Sequence, residues 1–285
     1  MVSLTQVLSS NARIPQELPS NMVAVFAGAT TGIGLATLKA FVKYAVSPRI
    51  YFLARNTTAA ELIVSQCQTL NPSSSFSVLK ADLSSVRETS RACEVIKSKE
   101  TGVNLVVLSM GEVRMDRALS EEGLHLFMAT VYYNRILIPS LLLPQLTHAS
   151  LTTPLARVLD VAGGTKEGPV DTSDLACLRV PVGQIRAHLT SMHTLALESL
   201  ADQAPSCEVC AWGGGGGWSG VGDGVEGGQP TEEVRRSVYS VDWDGEGPGG
   251  RVMELLKKLR KKGVKEAVWE HTNGEFERIR SGRKL

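Results

Sequence analysis

Residues 22–44 read MVAVFAGATTGIGLATLKAFVKY, and this stretch decides the fold. It opens with a short apolar run, which predicts a strand that ends at Gly28. Gly32 and Gly34 follow, and the amphipathic stretch 35–44 predicts a helix. In such a strand–turn–helix the first glycine permits a sharp turn, the second lets the backbone approach a phosphate, and the third allows the helix to pack closely on the strand. The pattern therefore predicts a dinucleotide-binding turn.

The rest of the chain repeats the alternation of short apolar runs and amphipathic stretches. Further strands are predicted at 49–54, 76–80, 104–109, 157–162, 207–212 and 237–241. Further helices are predicted at 58–70, 84–97, 121–146 with a bend at Pro139 or Pro144, 183–203, 251–262 and 265–280. The fold class is therefore α/β, a three-layer doubly wound Rossmann fold whose parallel sheet has about seven strands with helices on both faces. We expect a single NAD(P)-binding domain over residues 1–285, with a flexible glycine-rich loop at 213–230 and a C-terminal helical segment at 250–280.

Composition argues against several classes of function. The net charge is +1, with 30 basic and 29 acidic side chains, so no basic excess is available to bind nucleic acid. No stretch approaches the roughly 20 apolar residues that cross a bilayer, and residues 1–20 lack the apolar segment of a signal peptide. The five cysteines are expected to be ordinary buried thiols. We therefore expect a cytoplasmic protein that binds no membrane, no nucleic acid and no metal.

Residues after the second and third strands indicate which dinucleotide would bind. NAD-selective sites place a carboxylate at the end of the second strand, where it binds the ribose 2′-hydroxyl. Here that strand ends at Arg55, whose guanidinium suits a 2′-phosphate, although a solvated surface arginine is the alternative. Asp82, at the end of the third strand, would either face the adenine or serve as a helix cap or turn residue. NADP(H) is therefore the predicted cofactor.

These motifs resemble the short-chain dehydrogenase/reductase (SDR) family over residues 23–212. The resemblance rests on the glycine turn, on Asp82-Leu83 and on Gly111 after the fourth strand, while 238–245 and 268–271 resemble a branch common in fungi and linked to secondary metabolism. It implies an NADP(H)-dependent oxidoreductase that acts on a carbonyl or alcohol group of a small organic molecule. The cofactor-binding residues predicted in this way are Gly28, Thr30, Thr31, Gly32, Ile33, Gly34, Arg55, Asp82, Ser109 and Gly111.

The family's usual catalytic positions are altered in this chain. Its Tyr-x3-Lys pair lies on the helix after the fifth strand, where the lysine lowers the pKa of the tyrosine. Here that helix reads RAHLTSMH at 186–193 and contains neither residue. The family's serine falls near Gly163, its asparagine near Val131 and Tyr132, and its Asn-Ala-Gly signature is replaced by Ser-Met-Gly at 109–111. Three other side chains are candidates for proton transfer, each with an alternative as a packed or hydrogen-bonded core residue: His188, Ser191 and Tyr132.

Three functions remain open on this sequence. The first is an active NADP(H)-dependent oxidoreductase with a small-molecule substrate. The second is a non-catalytic NADP(H)-binding protein, a sensor or a partner of another enzyme, because the usual catalytic pair is missing. The third is a defective SDR product, because 10 of the 16 residues at 213–228 are glycine where the family has a segment that covers the nicotinamide. Such a tract means either a lost lid or an altered reading frame or splicing error.

The predicted helices at 121–146 and 183–203 bear on the oligomeric state. In the SDR family the corresponding helices form the interface of a homodimer or tetramer. The apolar faces of these two helices suit such an interface, and they suit the core of a single chain equally well.

Overall fold

A parallel sheet forms the centre of the computed structural model, which describes residues 3–111, 116–163, 166–204, 207–213, 238–241 and 250–283. Its strands are β1 (Val23–Ala27), β2 (Arg49–Ala54), β3 (Ser75–Lys80), β4 (Leu105–Leu108), β5 (Arg157–Ala162), β6 (Glu208–Gly213) and β7 (Val238–Val241). Their order is β3-β2-β1-β4-β5-β6-β7, and every neighbouring pair is parallel. The order reverses between β1 and β4, which is where open α/β sheets bind ligands. The predicted doubly wound α/β fold is confirmed.

Helices cover both faces of this sheet. They are α1 (Leu4–Glu17), α2 (Gly32–Tyr44), α3 (Thr57–Leu70), α4 (Val86–Lys99), α5 (Leu126–Met128), α6 (Asn134–Leu141), α7 (Leu143–Thr152), α8 (Val182–Gln203), α9 (Gly250–Lys261) and α10 (Val264–Arg280). A π-helical turn, Ala129–Tyr133, joins α5 to α6. The C-terminal helical segment predicted at 250–280 is present as α9 and α10.

Alternate residues of the central strands pack on opposite faces of the sheet. On β1, Val23, Val25 and Ala27 belong to the larger core, which also includes side chains from α4, α6, α8 and α10. Ala24 and Phe26 belong to the smaller core with α2 and α3. Because both faces are covered, β1 reads as a continuous apolar run rather than an alternating one.

The helix predicted at 121–146 is wrong at its start, because no helix begins at residue 121, but the bend predicted at Pro139 or Pro144 is present just before Pro144. The chain first makes a turn in which the Gly123 N–H donates to the Ser120 carbonyl, and Gly123 has a φ of +79°, a left-handed value that no α-helix continues. The helix therefore begins at α5. Pro144 then lies in the first turn of α7, and the helices on either side of Leu142 are bent by 54°. Proline suits the first turn of a new helix because its missing N–H needs no partner there, so the break falls just before Pro144.

Helix α1 precedes the sheet and was not predicted. Its N-terminus is a capping box, in which the Ser3 hydroxyl accepts the Gln6 N–H at 3.2 Å and the Gln6 side chain accepts the Ser3 N–H at 2.8 Å. Val7 and Asn11 are its buried residues. Leu4, Val7 and Leu8 do have helical spacing, but Leu4 and Leu8 are exposed and Pro15 lies in the last turn, so the segment lacks the long apolar face of a core helix.

Helix α10 packs across α8 and the π-helical turn. The Tyr132 hydroxyl lies 2.6 Å from Thr272 Oγ1, and the Tyr133 hydroxyl lies 2.8 Å from His271 Nε2. As a result α8 is buried on almost all sides over 188–201. A homodimer or tetramer through these helices stays a prediction.

Two further sequence predictions concern the glycine-rich loop and the absence of a membrane-spanning stretch. The glycine-rich loop predicted at 213–230 lies outside the described residues, apart from Gly213 in β6. Within the described ranges no single helix is both long and apolar enough to cross a bilayer, although the bent pair Leu126–Leu141 and Leu143–Thr152 passes on length and composition together.

Candidate cofactor-binding site

The glycine turn joins β1 to α2 at the carboxyl edge of the sheet. Gly28 and Gly32 have φ values of +81° and +58°, which favour glycine. Gly28 also lies against the backbone of Met110, too close to leave room for a Cβ atom. A Cβ on Gly34 would come 2.5 Å from the Gly28 carbonyl oxygen, whereas one on Gly32 would meet nothing within 4 Å. The first and third glycines are therefore required by packing, and the second borders open space.

The N-terminus of α2 presents backbone N–H groups beside this turn. Thr31 is its N-cap residue but makes no side-chain capping hydrogen bond, and the first turn contains no acidic residue. Ser3, Asn56 and Ser85 cap α1, α3 and α4 with their side chains, whereas α7, α8 and α10 lack a side-chain cap as α2 does. The free N–H groups and the positive end of the helix dipole suit a phosphate group.

Strands β2 and β3 end on one side of the turn, at two residues that the sequence predicts for binding. Arg55 directly follows β2, the immediate neighbour of β1, and its side chain is exposed. Asp82 follows β3, and its Oδ1 accepts hydrogen bonds from the Ser84 N–H at 2.9 Å and the Ser84 hydroxyl at 2.8 Å. Asp82 thus fills the turn role that was its alternative, and its contact with adenine stays a prediction.

Residues 109–111 continue β4 on the other side of the turn. The Ser109 N–H donates to the Ala27 carbonyl at 2.8 Å, and the Ser109 Cβ would lie 3.0 Å from a Cβ on Gly34. Gly111 is exposed, and a Cβ there would lie 3.6 Å from Arg135 Nη2. The predicted residues at 109 and 111 therefore border the glycine turn and a buried arginine, respectively.

That arginine belongs to a buried charged network, which we define as Arg135, Asp160 and His193. Their exposed fractions are 5%, 0% and 4%. Arg135 Nη1 donates to Asp160 Oδ1 at 2.5 Å, and His193 Nε2 lies 3.0 Å from Asp160 Oδ2. Burial alone would raise the pKa of Asp160, but the neighbouring His193 and Arg135 outweigh it and hold that pKa below its usual value. Asp160 is therefore ionised at neutral pH.

The sequence did not single out this network. The available signals were an acidic residue inside the apolar run of β5 and an arginine inside the apolar stretch 131–143. Each signal is local, and neither shows which residue the other one meets.

Comparisons with known proteins agree with this geometry. A family model described as short chain dehydrogenase matches residues 22–146. The NmrA-like family domain-containing oxidoreductase notO of Aspergillus sp. (strain MF297-2) is 31% identical over 322 aligned positions, which cover 97% of this chain and 95% of that protein. The chain belongs to the short-chain dehydrogenase family.

Two other proteins extend the comparison. Oxidoreductase AN1596 of Emericella nidulans is 35% identical over 209 residues, which cover 72% of this SDR chain and 61% of that protein. The solved NADP complex of Pseudomonas aeruginosa RhlG superposes with a TM-score of 0.53 at 18% identity, covering 72% of this chain and 76% of that one. The structural likeness concerns the fold alone.

Two of the predicted catalytic residues of this SDR hold the loop that follows β5. Ser191 Oγ accepts the Gly168 N–H at 2.9 Å and donates to the Gly168 carbonyl at 2.6 Å. His188 is 1% exposed, and its Nδ1 accepts the Asp171 N–H at 3.1 Å. The neutral ring therefore carries its proton on Nε2, which has no partner among the described residues. Burial lowers the pKa of His188 and so favours this neutral form.

Tyr132, the third predicted catalytic residue, lies in the interior of the SDR fold. The Thr272 hydroxyl donates to the Val268 carbonyl at 2.7 Å, so Tyr132 is the donor in its own 2.6 Å hydrogen bond to Thr272. Burial raises the pKa of the Tyr132 phenol. Its ring meets that of His193 edge-on, with centroids 6.0 Å apart. The structure thus places Tyr132 in a hydrogen-bonded core position, and proton transfer by it stays a prediction.

One hydroxyl that the sequence did not single out lies near the family's serine position. A Cβ on Gly163 would lie 3.2 Å from Thr190 Oγ1. That hydroxyl donates to the Arg186 carbonyl at 2.8 Å, so its lone pairs are the groups left for other partners. Thr190 therefore presents an acceptor beside Gly163, from α8 rather than from β5.

Proposed function

We propose that this SDR is an NADP(H)-dependent oxidoreductase of the cytoplasm. It would act on a carbonyl or alcohol group of a small organic molecule in fungal secondary metabolite biosynthesis. The observation that carries the proposal is the uncapped N-terminus of α2 beside the exposed guanidinium of Arg55. The first supplies donors for a pyrophosphate and the second a cation for a 2′-phosphate. The fungal oxidoreductases and the NADP complex among the similar proteins support this proposal.

The residues present fit NADP(H) in shape and charge. Open space borders Gly32, and no carboxylate stands in the first turn of α2 to repel a phosphate. When bound, the nicotinamide supplies or accepts a hydride. The chain's own contribution is to hold the pyrophosphate at the turn, the 2′-phosphate at Arg55 and the adenosine beside Asp82.

Proton transfer is the step for which the described part of the chain offers the fewest suitable side chains. Reduction of a carbonyl requires a proton at the new hydroxyl group. The Ser191 and Tyr132 hydroxyls are already engaged, and a second proton on His188 would break its bond to the Asp171 N–H. These engaged groups favour a second candidate function, a non-catalytic NADP(H)-binding protein.

Calorimetric titration of the full chain with NADPH and NADH tests the cofactor. We expect NADPH to bind about tenfold more tightly or better, because a hydrogen-bonded charge pair contributes about 1.5–3 kcal/mol. Arg55→Ala should reduce the affinity for NADPH to that for NADH. The control Arg91→Ala removes an exposed arginine of α4 and should change neither value. Binding of neither nucleotide by the wild type would overturn the proposal.

Turnover separates the two candidate functions. Nicotinamide absorbance is followed with a panel of aldehydes, ketones and alcohols. Turnover that persists in His188→Gln, Ser191→Ala and Tyr132→Phe would assign proton transfer to another group, and turnover lost in one stable variant would assign it there. Tight NADPH binding with no turnover across the panel would favour the non-catalytic function.

A further inference from the structure

Arg135 joins the carboxyl ends of two neighbouring strands. Its Nη1 donates to the Val161 carbonyl at 2.7 Å and lies 3.4 Å from the Leu108 carbonyl, while its Nη2 donates to the Met110 carbonyl. Leu108 is the last residue of β4, and Val161 lies at the end of β5. One rigid guanidinium, with its donors in a fixed fork, therefore sets the spacing of the two strand ends.

The other two members of the network hold that guanidinium in place. Asp160 neutralises Arg135 inside the protein, and His193 of α8 approaches the second oxygen of the same carboxylate. A buried ion pair of this kind is often no more stabilising than apolar residues of similar volume. Its distinctive contribution is geometric, because the planar guanidinium fits its carboxylate and carbonyl partners in a single arrangement.

The strand ends that Arg135 joins lie directly beside the glycine turn. Gly28 abuts the backbone of Met110, whose carbonyl Arg135 binds. Arg55 lies on the other side of β1, after β2. A dinucleotide bound across the turn would therefore place its 2′-phosphoadenosine half on the β2 side and its nicotinamide half on the β4–β5 side.

We propose that the buried charged network is a positioning device for the nicotinamide half of the cofactor, with Arg135 fixing the ends of β4 and β5 against which that half lies. The inference rests on the proposed function. It assigns Arg135, Asp160 and His193 as positioning residues, none of which contacts the adenosine half. Disturbing the network should therefore weaken NADPH without weakening the isolated 2′-phosphoadenosine half.

Calorimetric titration of the full chain with two probes tests whether the loss of affinity is confined to NADPH. The probes are NADPH and 2′,5′-ADP, which lacks the nicotinamide half. Arg135→Lys keeps the charge but loses the fork, so the Kd for NADPH should rise about tenfold or more while that for 2′,5′-ADP changes less than about twofold. The matched control is Arg49→Lys, since Arg49 pairs with the buried carboxylate of Glu100 at the opposite, amino end of β2. It should leave both constants unchanged.

His193→Asn provides a second variant in case Arg135→Lys fails to fold. It leaves the Arg135–Asp160 pair intact and should weaken NADPH selectively, by about threefold to tenfold. Equal losses of both probes, or no loss of either in folded variants, would overturn the inference. If the wild type binds neither probe, the outcome is a separate one, because the proposed function then fails and the inference fails with it.

Discussion

Replacement of Gly34 by alanine tests how tightly the candidate turn is packed. The new Cβ would lie 2.5 Å from the Gly28 carbonyl oxygen and 3.0 Å from both Ala29 Cα and Ser109 Cβ. Favourable contacts between carbon atoms lie at about 3.5–4.0 Å. The methyl group therefore overlaps the turn on one side and the end of β4 on the other, and relieving the overlap would displace the backbone of the glycine turn.

Two opposing effects set the magnitude for Gly34→Ala. Alanine gains about 0.5–1 kcal/mol over glycine within a helix, whereas an extra methyl in a well-packed region costs about 1–3 kcal/mol. We expect a net loss of about 1–2 kcal/mol in the free energy of unfolding. For a chain of this size that corresponds to a fall of about 2–3 °C in Tm.

Urea unfolding measures the change in the free energy of unfolding, and titration with NADPH measures the change in affinity at the site. Because the displaced turn no longer aims its N–H groups, we expect the affinity of Gly34→Ala for NADPH to fall about tenfold or more. The matched control is Gly274→Ala in α10, where a Cβ meets nothing within 4 Å. This control should gain about 0.5–1 kcal/mol and bind NADPH as the wild type does. If Gly34→Ala instead matched the wild type in both stability and NADPH affinity, the reasoning from packing would be refuted.

Three further predictions concern groups outside the turn. Glu122 accepts hydrogen bonds from the first N–H groups of α4 at 2.7 and 3.0 Å, so Glu122→Ala should cost about 2 kcal/mol in urea unfolding, whereas exposed Glu121→Ala should cost almost nothing. In the folded state, burial lowers the pKa of His188 below its ordinary value of 6.5. The unfolded chain therefore binds the proton more readily, and the free energy of unfolding falls as the pH drops below 6.5. His188→Gln should flatten this dependence between pH 7 and pH 5, and an unchanged slope would contradict the assignment. Tyr132→Phe removes a buried hydrogen bond to Thr272 and should lower the free energy of unfolding by about 1 kcal/mol. A variant as stable as the wild type would contradict this prediction.

The elements and the turn were predictable because their signals are local. The strands β2 and β5 have their predicted bounds, since each is an apolar run bordered by polar or turn-forming residues. The glycine spacing predicts the positive φ of Gly28 and the close contact at Gly34, because a turn from strand to helix leaves few other conformations. Ser85 caps α4 with its side chain, and a serine at the start of an amphipathic stretch is likewise a local signal.

Elements whose ends depend on backbone conformation were harder to predict. The stretch 121–146 has the apolar periodicity of one helix, yet left-handed Gly123 delays its start and Pro144 begins a new helix. Helix α1 was missed although Leu4, Val7 and Leu8 have helical spacing and Ser3 and Gln6 form a capping box, because most of the segment is polar and Pro15 interrupts it.

The two parts of the site differ in how they are encoded. The proposed phosphate binding at the turn would use backbone N–H groups, which every residue except proline supplies, so a few glycines in one short segment suffice to indicate it. The buried charged network uses side chains from α6, β5 and α8, and its first pair is separated by 25 residues. Each member taken alone is simply a polar residue in an apolar stretch, and the fold is what makes it a partner. Chemistry that depends on side chains brought together in this way can be relocated without leaving a motif, which is why the altered Tyr-x3-Lys positions do not by themselves decide whether this SDR turns over a substrate.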